Sequence, residues 1–222
     1  MSLFLSRLRL SRAPSTRALD ALLNPAGEGP RIDAHHRLLW AAFADGPGRT
    51  RDFLWRDEGA GVFLTLSTRP PAPSELFEPP EVKPFAPQLS AGDQLAFSLR
   101  ANATRARKGV GRVDVVMDAL HAVPKGQRAP ERMVAAQAAG TEWLAGQGDR
   151  AGFRLLAVAV GDYSVVALPG HRGARRGQPQ FGILDMTGAI EVTDPAALLP
   201  ALAQGFGRAK AFGCGLMLIR RA

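Results

Sequence analysis

The sequence predicts an α+β fold made of two tandem ferredoxin-like units, each with the RRM-like order strand, helix, strand, strand, helix, strand. The 222 residues suit two small domains, and a hydrophobic fraction of 46% supplies enough apolar surface for packed cores. Patterns typical of strands and helices then follow one another in the same order twice. Prolines near residues 80–92 separate the two sets, so we expect domains at 1–88 and 89–222.

The first unit begins with a strand and continues with a helix that carries two adjacent histidines. Apolar and polar residues alternate over Leu3–Leu10, as in a strand, although the pattern leaves its buried face open. Asp33 is a good N-cap type, and apolar residues recur at helical spacing from Leu39 to Phe43. The other expected elements are a short helical piece within 12–24, a hairpin of strands Arg51–Arg56 and Val62–Ser67, a weakly signalled second helix, and an extended segment near Glu81–Phe85.

The second unit repeats this order with clearer patterns. Apolar and polar residues alternate over Gln94–Ala101, as in a half-buried strand. Asp194 followed by Pro195 is typical of a helix start, because aspartate caps the first turn and proline fits at its first position. That helix is expected to end at Gln204. The other expected elements are a helix over Pro130–Gly146, strands Phe153–Leu168 and Gln180–Thr193, and a final strand over Gly215–Arg220.

The net charge of +8, with 28 basic against 20 acidic residues, is typical of a protein that binds a polyanion such as nucleic acid. The arginine-rich composition of a GC-rich genome is the alternative explanation. Residues 1–90 carry 11 basic and 10 acidic side chains, whereas residues 91–222 carry 17 and 10. Because the excess lies in one half, genome composition alone does not explain it.

The cysteine content and the hydropathy pattern exclude several kinds of protein. The single cysteine, Cys214, excludes a disulfide framework and a multi-cysteine zinc site, and its apolar neighbours predict that it is buried. The first apolar run is too short for a signal peptide, and no stretch reaches the roughly 20 apolar residues of a membrane span. We therefore expect a soluble, cytoplasmic protein. No metal site and no cofactor are expected, since carboxylates near the histidines are few.

The stretch Gly205–Gly215, which we call the glycine-rich segment, is the sharpest local signal. Its glycines allow backbone N–H groups to converge on a phosphate while two cations neutralise the charge. The closing Gly-Lys-Ser/Thr of a nucleotide-binding P-loop is absent. A helix C-cap followed by a tight turn is the alternative, and phosphate binding is favoured. The candidate residues are Gly205, Gly207, Arg208, Lys210, Gly213 and Gly215.

The histidine pair is the second signal. His36 lies one helical turn before Trp40, and because imidazole titrates near neutrality it is a candidate proton donor or acceptor. His35 projects about 100° away on the helix, so the two histidines cannot share one role. Solvent exposure or helix capping is the alternative for a histidine near a helix start. Asp33 and His35 are candidates for supporting roles.

Two further segments concentrate positive charge. Residues 100–112 contain no acidic side chain, and residues 171–177 lie in the connection between two expected strands. A basic two-stranded ribbon can grip a nucleic-acid stem, and a solvated surface loop is the alternative for each segment. The candidate RNA-binding cations are Arg100, Arg105, Arg107, Lys108, Arg112, Arg172, Arg175 and Arg176.

Taken together, these residues resemble the CRISPR repeat-processing endoribonucleases of type I-E systems, the CasE/Cse3 family. The resemblance covers nearly the whole chain. It rests on the N-terminal strand, the His36-x-x-x-Trp40 helix, the strand Arg51-Asp52-Phe53-Leu54, Leu99–Asn102, and the glycine-rich segment with the Leu-Met-Leu-Ile that follows its last glycine.

The resemblance implies an activity, a catalytic residue and partners. Such enzymes bind the hairpin of precursor CRISPR RNA and cut at its 3′ base without a metal. The ribose 2′-hydroxyl attacks the adjacent phosphate, which leaves a 2′,3′-cyclic phosphate or its opened form and a 5′-hydroxyl. By position, His36 is the family's catalytic histidine, and Arg172, Arg175 and Arg176 are in its stem-gripping hairpin. The product stays bound and joins the Cascade complex as a subunit.

Asp33 departs from the family pattern, since many relatives carry a tyrosine three residues before the histidine. The only tyrosine here, Tyr163, is far away in sequence. Asp33 has three candidate roles: capping its helix, orienting His36, or raising the pKa of His36. A non-catalytic RNA-hairpin-binding assembly subunit is the alternative function. An unrelated tandem RNA-binding module is disfavoured, because aromatic residues are few and no RNP-like string occurs.

Overall fold

The computed structural model describes residues 2–44, 46, 48–168 and 179–221. Their contacts separate into two compact units. The first unit comprises the described parts of Met1–Pro87, Ala167–Gln180 and Lys210–Gly213, and the second comprises Gln88–Val166, Phe181–Ala209 and the described part of Cys214–Ala222. Lys210–Gly213, which lie late in the chain, are thus part of the first unit.

The first unit contains a four-stranded antiparallel sheet with the ferredoxin-like strand order. Its order is β2-β3-β1-β4, so the first and third strands of the unit are central. In β1, Ser6 and Leu8 are buried, whereas Arg7 and Arg9 face outward and pair with Glu81. This settles the face that the alternation left open. The strands are β1 (Phe4–Arg9), β2 (Phe53–Gly59), β3 (Val62–Ser67) and β4 (Glu81–Pro84).

Three helices connect β1 to β2, and the longest of them starts earlier than predicted. They are α1 (Pro14–Ala18), α2 (Asp20–Leu23) and α3 (Glu28–Phe43). The prediction that Asp33 is the N-cap is wrong, because α3 begins after Gly27, whose φ of +91° turns the chain into the helix. Asp33 lies inside the helix and pairs with Arg37, with 2.9 Å between carboxylate and guanidinium. The described residues between β3 and β4 contain no helix.

The core of the first unit forms between α3 and its sheet. Phe43 stacks on Phe53 with 4.2 Å between ring centroids, and Trp55 is 1% exposed. Burial of such aromatic side chains supplies roughly 2–3 kcal/mol each before entropy is counted. The buried cluster consists of Leu8, Leu38, Leu39, Ala42, Phe43, Phe53, Trp55, Phe63 and Phe77.

The second unit repeats the ferredoxin-like strand order and adds a small hairpin. Its main sheet has the order β10-β5-β9-β8, with α5 in the first crossover and α6 in the second. The strands are β5 (Gln94–Ala101), β6 (Thr104–Arg107), β7 (Gly111–Asp114), β8 (Phe153–Ala167), β9 (Gln180–Val192) and β10 (Met217–Arg221), and the helices are α4 (Val115–His121), α5 (Arg128–Ala151) and α6 (Pro195–Gln204).

The local predictions for the second unit are confirmed in most places. β5 has the predicted bounds, and Asp194 caps α6 by accepting hydrogen bonds from the amides of Ala196 and Ala197. The basic insertion is more regular than a loop, because β6 and β7 form an antiparallel hairpin that leads into α4. Cys214 is fully buried, as predicted. No helix in the described part of the chain is long and apolar enough to cross a membrane.

Candidate active site

A single helical turn, Lys210–Phe212, forms one wall of the candidate site in the first unit. Trp55 anchors this turn, since its indole Nε1 donates a hydrogen bond of 3.1 Å to the carbonyl of Ala211. Gly213 follows with a φ of +78°, and a Cβ there would lie 3.2 Å from the Trp55 ring. Only glycine fits this left-handed position against the indole without strain.

His36 lies on α3 and faces this turn. Its ring centroid is 5.5 Å from that of Phe212 and 6.4 Å from that of Trp40. The imidazole is half-buried, hydrogen-bonds the backbone of Ala211, and has a buried Nδ1 with no hydrogen-bond partner among the described residues. The sequence prediction that His36 and Trp40 share a side of the helix is confirmed.

The charges around His36 favour its neutral form. Burial lowers the pKa of His36 below its ordinary value of 6.5, and the neighbouring cation Arg51 lowers it further. Asp33 and the hydrogen bond to Ala211 raise it, and Arg37 lowers it slightly, so the net direction is downward. Asp33 therefore raises the pKa of His36, which is one of the three roles expected for it, although it does not cap the helix.

Arg51 and Lys210 complete a basic cluster with His36. Both side chains are half-buried. Burial lowers the pKa of the Arg51 guanidinium, and burial together with Arg51 lowers the pKa of the Lys210 ammonium. Atom Nη1 of Arg51 is buried and has no hydrogen-bond partner among the described residues. We call His36, Arg51 and Lys210 the basic cluster.

His35 has a different environment from His36. Its ring is 2% exposed, with Nε2 2.9 Å from Oδ1 of Asn24 and Nδ1 3.1 Å from Oδ2 of Asp57. Burial raises the pKa of Asp57, but the hydrogen bond from His35 and the amide of Gly59 outweigh it and the net direction is downward. His35 thus ties α3 to α2 and β2. Its contribution is to hold the helix that carries His36.

Internal hydrogen bonds occupy several amides of the glycine-rich segment. The amide of Gly205 donates to Ala201, that of Phe206 to Gly215, and that of Gly215 to Arg100. Gly207 has a φ of +77°, and a Cβ there would lie 2.6 Å from the carbonyl oxygen of Asn102. In the second unit, these glycines therefore allow close packing of the backbone on β5. The part of the segment near His36 is Lys210–Gly213.

The other predicted RNA-binding cations fall into three groups. Arg100 makes a two-pronged contact with Asp185 at 3.0 and 2.9 Å, and Arg105 and Arg107 both pair with Asp118. Three others, Lys108, Arg112 and Arg208, are exposed. The remaining three, Arg172, Arg175 and Arg176, lie outside the described residues.

One further side chain, Tyr163, bears on the chemistry. The hydroxyl of Tyr163 donates a 3.0 Å hydrogen bond to Asp114, and burial together with that carboxylate raises the pKa of Tyr163 far above its usual value. This phenol belongs to the second unit and stays protonated there. The described residues contain no group of three or more His, Cys, Asp or Glu side chains placed to hold a metal ion.

Sequence reasoning did not assign a role to Arg51, although one signal for it was present. Arg51 lies two residues before β2, and alternation in an extended chain would put it on the same side as Phe53 and Trp55, both of which are buried. A cation that extends a buried row is unusual unless a partner or ligand compensates it. Once the buried face of β2 is known, Arg51 is therefore recognisable as a candidate ligand-binding residue.

The comparisons with known proteins agree with this architecture. The sequence profile of a family described as CRISPR associated protein matches residues 3–221. The endoribonuclease Cse3 of Thermus thermophilus is 30% identical over 224 residues, which cover 89% of this chain and 96% of that protein. A structure of Thermus thermophilus Cse3 bound to an RNA representing a pre-cleavage complex superposes with a TM-score of 0.68 at 27% identity, covering 99% of this chain and 100% of that one.

A more distant structure shares the fold alone. Cas6e from Escherichia coli K-12 superposes with a TM-score of 0.63 at 20% identity, covering 99% of this chain and 100% of that one. Two units with the ferredoxin-like strand order and a match over nearly the full length lead to one assignment. This chain belongs to the CasE/Cse3 family of CRISPR-associated proteins.

Proposed function

We propose that this protein is a metal-independent endoribonuclease that binds the hairpin of CRISPR repeat RNA and cuts at its 3′ base. The observation that carries the proposal is the basic cluster, in which a half-buried histidine lies beside two half-buried cations. Such a cluster suits a phosphodiester, because the cations neutralise the phosphate while the imidazole transfers a proton. The 30% identity to a Thermus endoribonuclease supports the same activity.

The chemistry is an internal transesterification. The ribose 2′-hydroxyl oxygen forms a bond to phosphorus as its proton passes to a base, the bond from phosphorus to the 5′ oxygen breaks, and the departing oxygen takes a proton. The products are a 2′,3′-cyclic phosphate and a 5′-hydroxyl. His36 performs one of these two proton transfers as general base or acid, a contribution of ~10²–10⁴-fold. The lowered pKa of His36 keeps it neutral near pH 7 in the free protein, ready to accept a proton.

The RNA stem requires a second surface of positive charge. The exposed cations Lys108, Arg112 and Arg208 supply part of it in the second unit. The family resemblance adds Arg172, Arg175 and Arg176. After cleavage the mature RNA stays bound, and the protein takes its place with the other subunits of Cascade.

One experiment tests the cleavage activity and the role of His36 together. Repeat RNA is incubated with wild-type protein, His36→Ala and His121→Ala in excess EDTA, and the RNA ends are analysed. His121 is an exposed histidine of the second unit and serves as the matched control. We expect a single cut with a 5′-hydroxyl from the wild type and from His121→Ala, and a rate lower by ~10²–10⁴-fold for His36→Ala.

Other outcomes would change the assignment. Equal cleavage by His36→Ala would remove His36 from the mechanism. Cleavage that disappears in EDTA and returns with a divalent cation would contradict metal independence. Tight binding without cutting by the wild type would indicate a non-catalytic assembly subunit that holds the RNA hairpin.

A further inference from the structure

Arg51 differs from nearby arginines of the first unit in its partners. Arg49 and Arg69 each pair with Asp52 at 2.8 Å, and Arg56 pairs with Glu58 at 2.9 Å. Arg51 forms no ion pair with a described residue, and its Nη1 is both buried and without a hydrogen bond. Removing a guanidinium from water without a partner costs free energy, so the protein holds this group there at the expense of stability.

Lys210 increases the free-energy cost of keeping the Arg51 guanidinium half-buried. Its ammonium is half-buried and close enough to Arg51 for the two like charges to lower its pKa. Arg37 is also near, and Asp33, which already pairs with Arg37, is the one carboxylate among the described residues that acts on His36. The charged groups that act on the His36 imidazole are thus the cations Arg51 and Arg37 and the carboxylate of Asp33. Two half-buried cations close to each other, as Arg51 and Lys210 are, are typical of a site that binds an anionic ligand.

We propose that Arg51 and Lys210 bind the non-bridging oxygens of the phosphodiester that is cleaved, with His36 at the edge of the same site. This inference rests on the proposed function and adds to it the residues that neutralise the reacting phosphate. The guanidinium fork of Arg51 presents two N–H groups to two oxygens, and the ammonium of Lys210 acts as a point charge. Both groups stabilise the extra negative charge that develops on phosphorus as the 2′ oxygen attacks.

The residues around β2 and the turn Lys210–Phe212 set the position of each cation. Arg51 extends the buried row of β2, and Trp55 of that row also holds the carbonyl of Ala211, next to Lys210. Gly213 lets the chain approach the Trp55 ring closely. β2 and the residues just before it therefore position both cations, and His36 lies near Arg51 from α3.

The first test uses sulfate as the probe and does not depend on cleavage. The pKa of the His36 ring is measured by NMR with and without sulfate at constant ionic strength, for the wild type, Arg51→Gln, Arg51→Lys and Arg12→Gln. Arg12 is an exposed arginine of the first unit and is the matched control. The charged groups that act on His36 are Arg51, Asp33 and Arg37.

We expect sulfate to raise the pKa of His36 in the wild type and in Arg12→Gln, because a bound dianion favours the imidazolium. Arg51→Gln starts from a higher pKa, since a cation has been removed, and sulfate then has little effect. Arg51→Lys keeps part of the response. If sulfate leaves the wild-type pKa unchanged, or raises it equally in Arg51→Gln, the anion site is refuted, whether or not the protein cleaves RNA.

The second test separates binding of the phosphate in the transition state from general RNA affinity. We expect Arg51→Gln and Lys210→Gln to lower the single-turnover cleavage rate by ~10²–10³-fold. Their affinity for repeat RNA with a 2′-deoxy residue at the cut is expected to stay within about threefold of wild type. A loss of affinity as large as the loss of rate would make these cations part of the stem grip and overturn the proposal.

Discussion

At the residue scale, the environments of His35 and His36 show how adjacent histidines acquire different properties. Both belong to α3, yet the angle of about 100° between successive residues turns one into the core and the other toward Phe212. His35 is held by Asn24 and Asp57, whereas Nδ1 of His36 has no partner among the described residues. The separation of roles was predictable from helix geometry, but the surroundings of each ring were not.

The lowered pKa of His36 makes the stability of the fold depend on pH. Its pKa in the folded state lies below the ordinary value of 6.5 that the unfolded chain retains. As pH falls through 6.5 the unfolded state takes up the proton first, so the free energy of unfolding decreases until the pH reaches the folded pKa. Above that window both states are neutral and His36 has no effect.

His36→Gln is therefore expected to lose less stability than the wild type on going from about pH 7.5 to about pH 5.5. Chemical denaturation at the two pH values measures the difference, with the exposed residue His121 changed to Gln as the control. If His36→Gln and wild type lose equal stability, His36 is not desolvated in the folded state.

Arg51 shows a limit of sequence reasoning at the same scale. Its place beside an apolar strand was visible in the sequence, but its lack of an acidic partner among the described residues was not. Asp52 is adjacent in sequence, yet it pairs with Arg49 and Arg69, which lie in two separate connections, before β2 and after β3. Which arginine a carboxylate selects is a tertiary property.

At the element scale, strands were easier to predict than the start of α3. Alternation of apolar and polar residues marks strands such as β5 directly, because each strand buries one face. The start of α3 was misassigned because Asp33 has the right residue type for a cap. In the fold, the positive φ of Gly27 and the acidic residue Glu28 in the first turn begin the helix more than one turn earlier. A residue type alone did not distinguish a cap from an internal ion pair.

The glycine-rich segment provides a prediction about backbone packing. Gly207→Ala is expected to destabilise the protein by about 2 kcal/mol or more, because the φ is positive and the new Cβ meets the carbonyl oxygen of Asn102 at 2.6 Å. Gly146, inside α5, is the matched control, since a Cβ added there would have no heavy atom within 4 Å. At that position, alanine is expected to stabilise the protein by about 0.5–1 kcal/mol through its higher helix propensity.

Urea denaturation of the two glycine variants measures both effects. If Gly207→Ala is as stable as wild type, close packing on Asn102 is not what requires glycine at that position. If it is destabilised while Gly146→Ala is stabilised, the cost belongs to the conformation of the segment and not to glycine replacement in general.

At the scale of the whole molecule, the ion pairs show how much of the net charge of +8 is available to a polyanion. In the second unit, Arg100, Arg105 and Arg107 pair with carboxylates, whereas Lys108 and Arg112 are exposed in the β6–β7 hairpin. The sequence places the excess of basic over acidic residues in 91–222. It did not reveal which cations are engaged, because Asp118 and Asp185 are distant in sequence from the arginines they hold.

The salt dependence of RNA binding tests this division. The double variant Lys108→Gln/Arg112→Gln is expected to reduce the slope of log affinity against log salt concentration by roughly one to two units, one for each lost phosphate contact. Affinity is measured between about 50 and 200 mM salt, with Arg12→Gln/Arg17→Gln, two exposed arginines of the first unit, as the control. An unchanged slope would exclude this hairpin from the RNA interface.

The grouping of Lys210–Gly213 with the first unit has a consequence for biosynthesis. Helix α3 and the sheet that it covers leave the ribosome early, whereas Lys210, Ala211 and Phe212 are translated late in the chain. A nascent chain can thus fold the early unit around His36 while the ring still lacks its aromatic neighbour and the second cation of its cluster. Under the proposed function, the site around His36 is therefore complete only after the ribosome has passed this late segment.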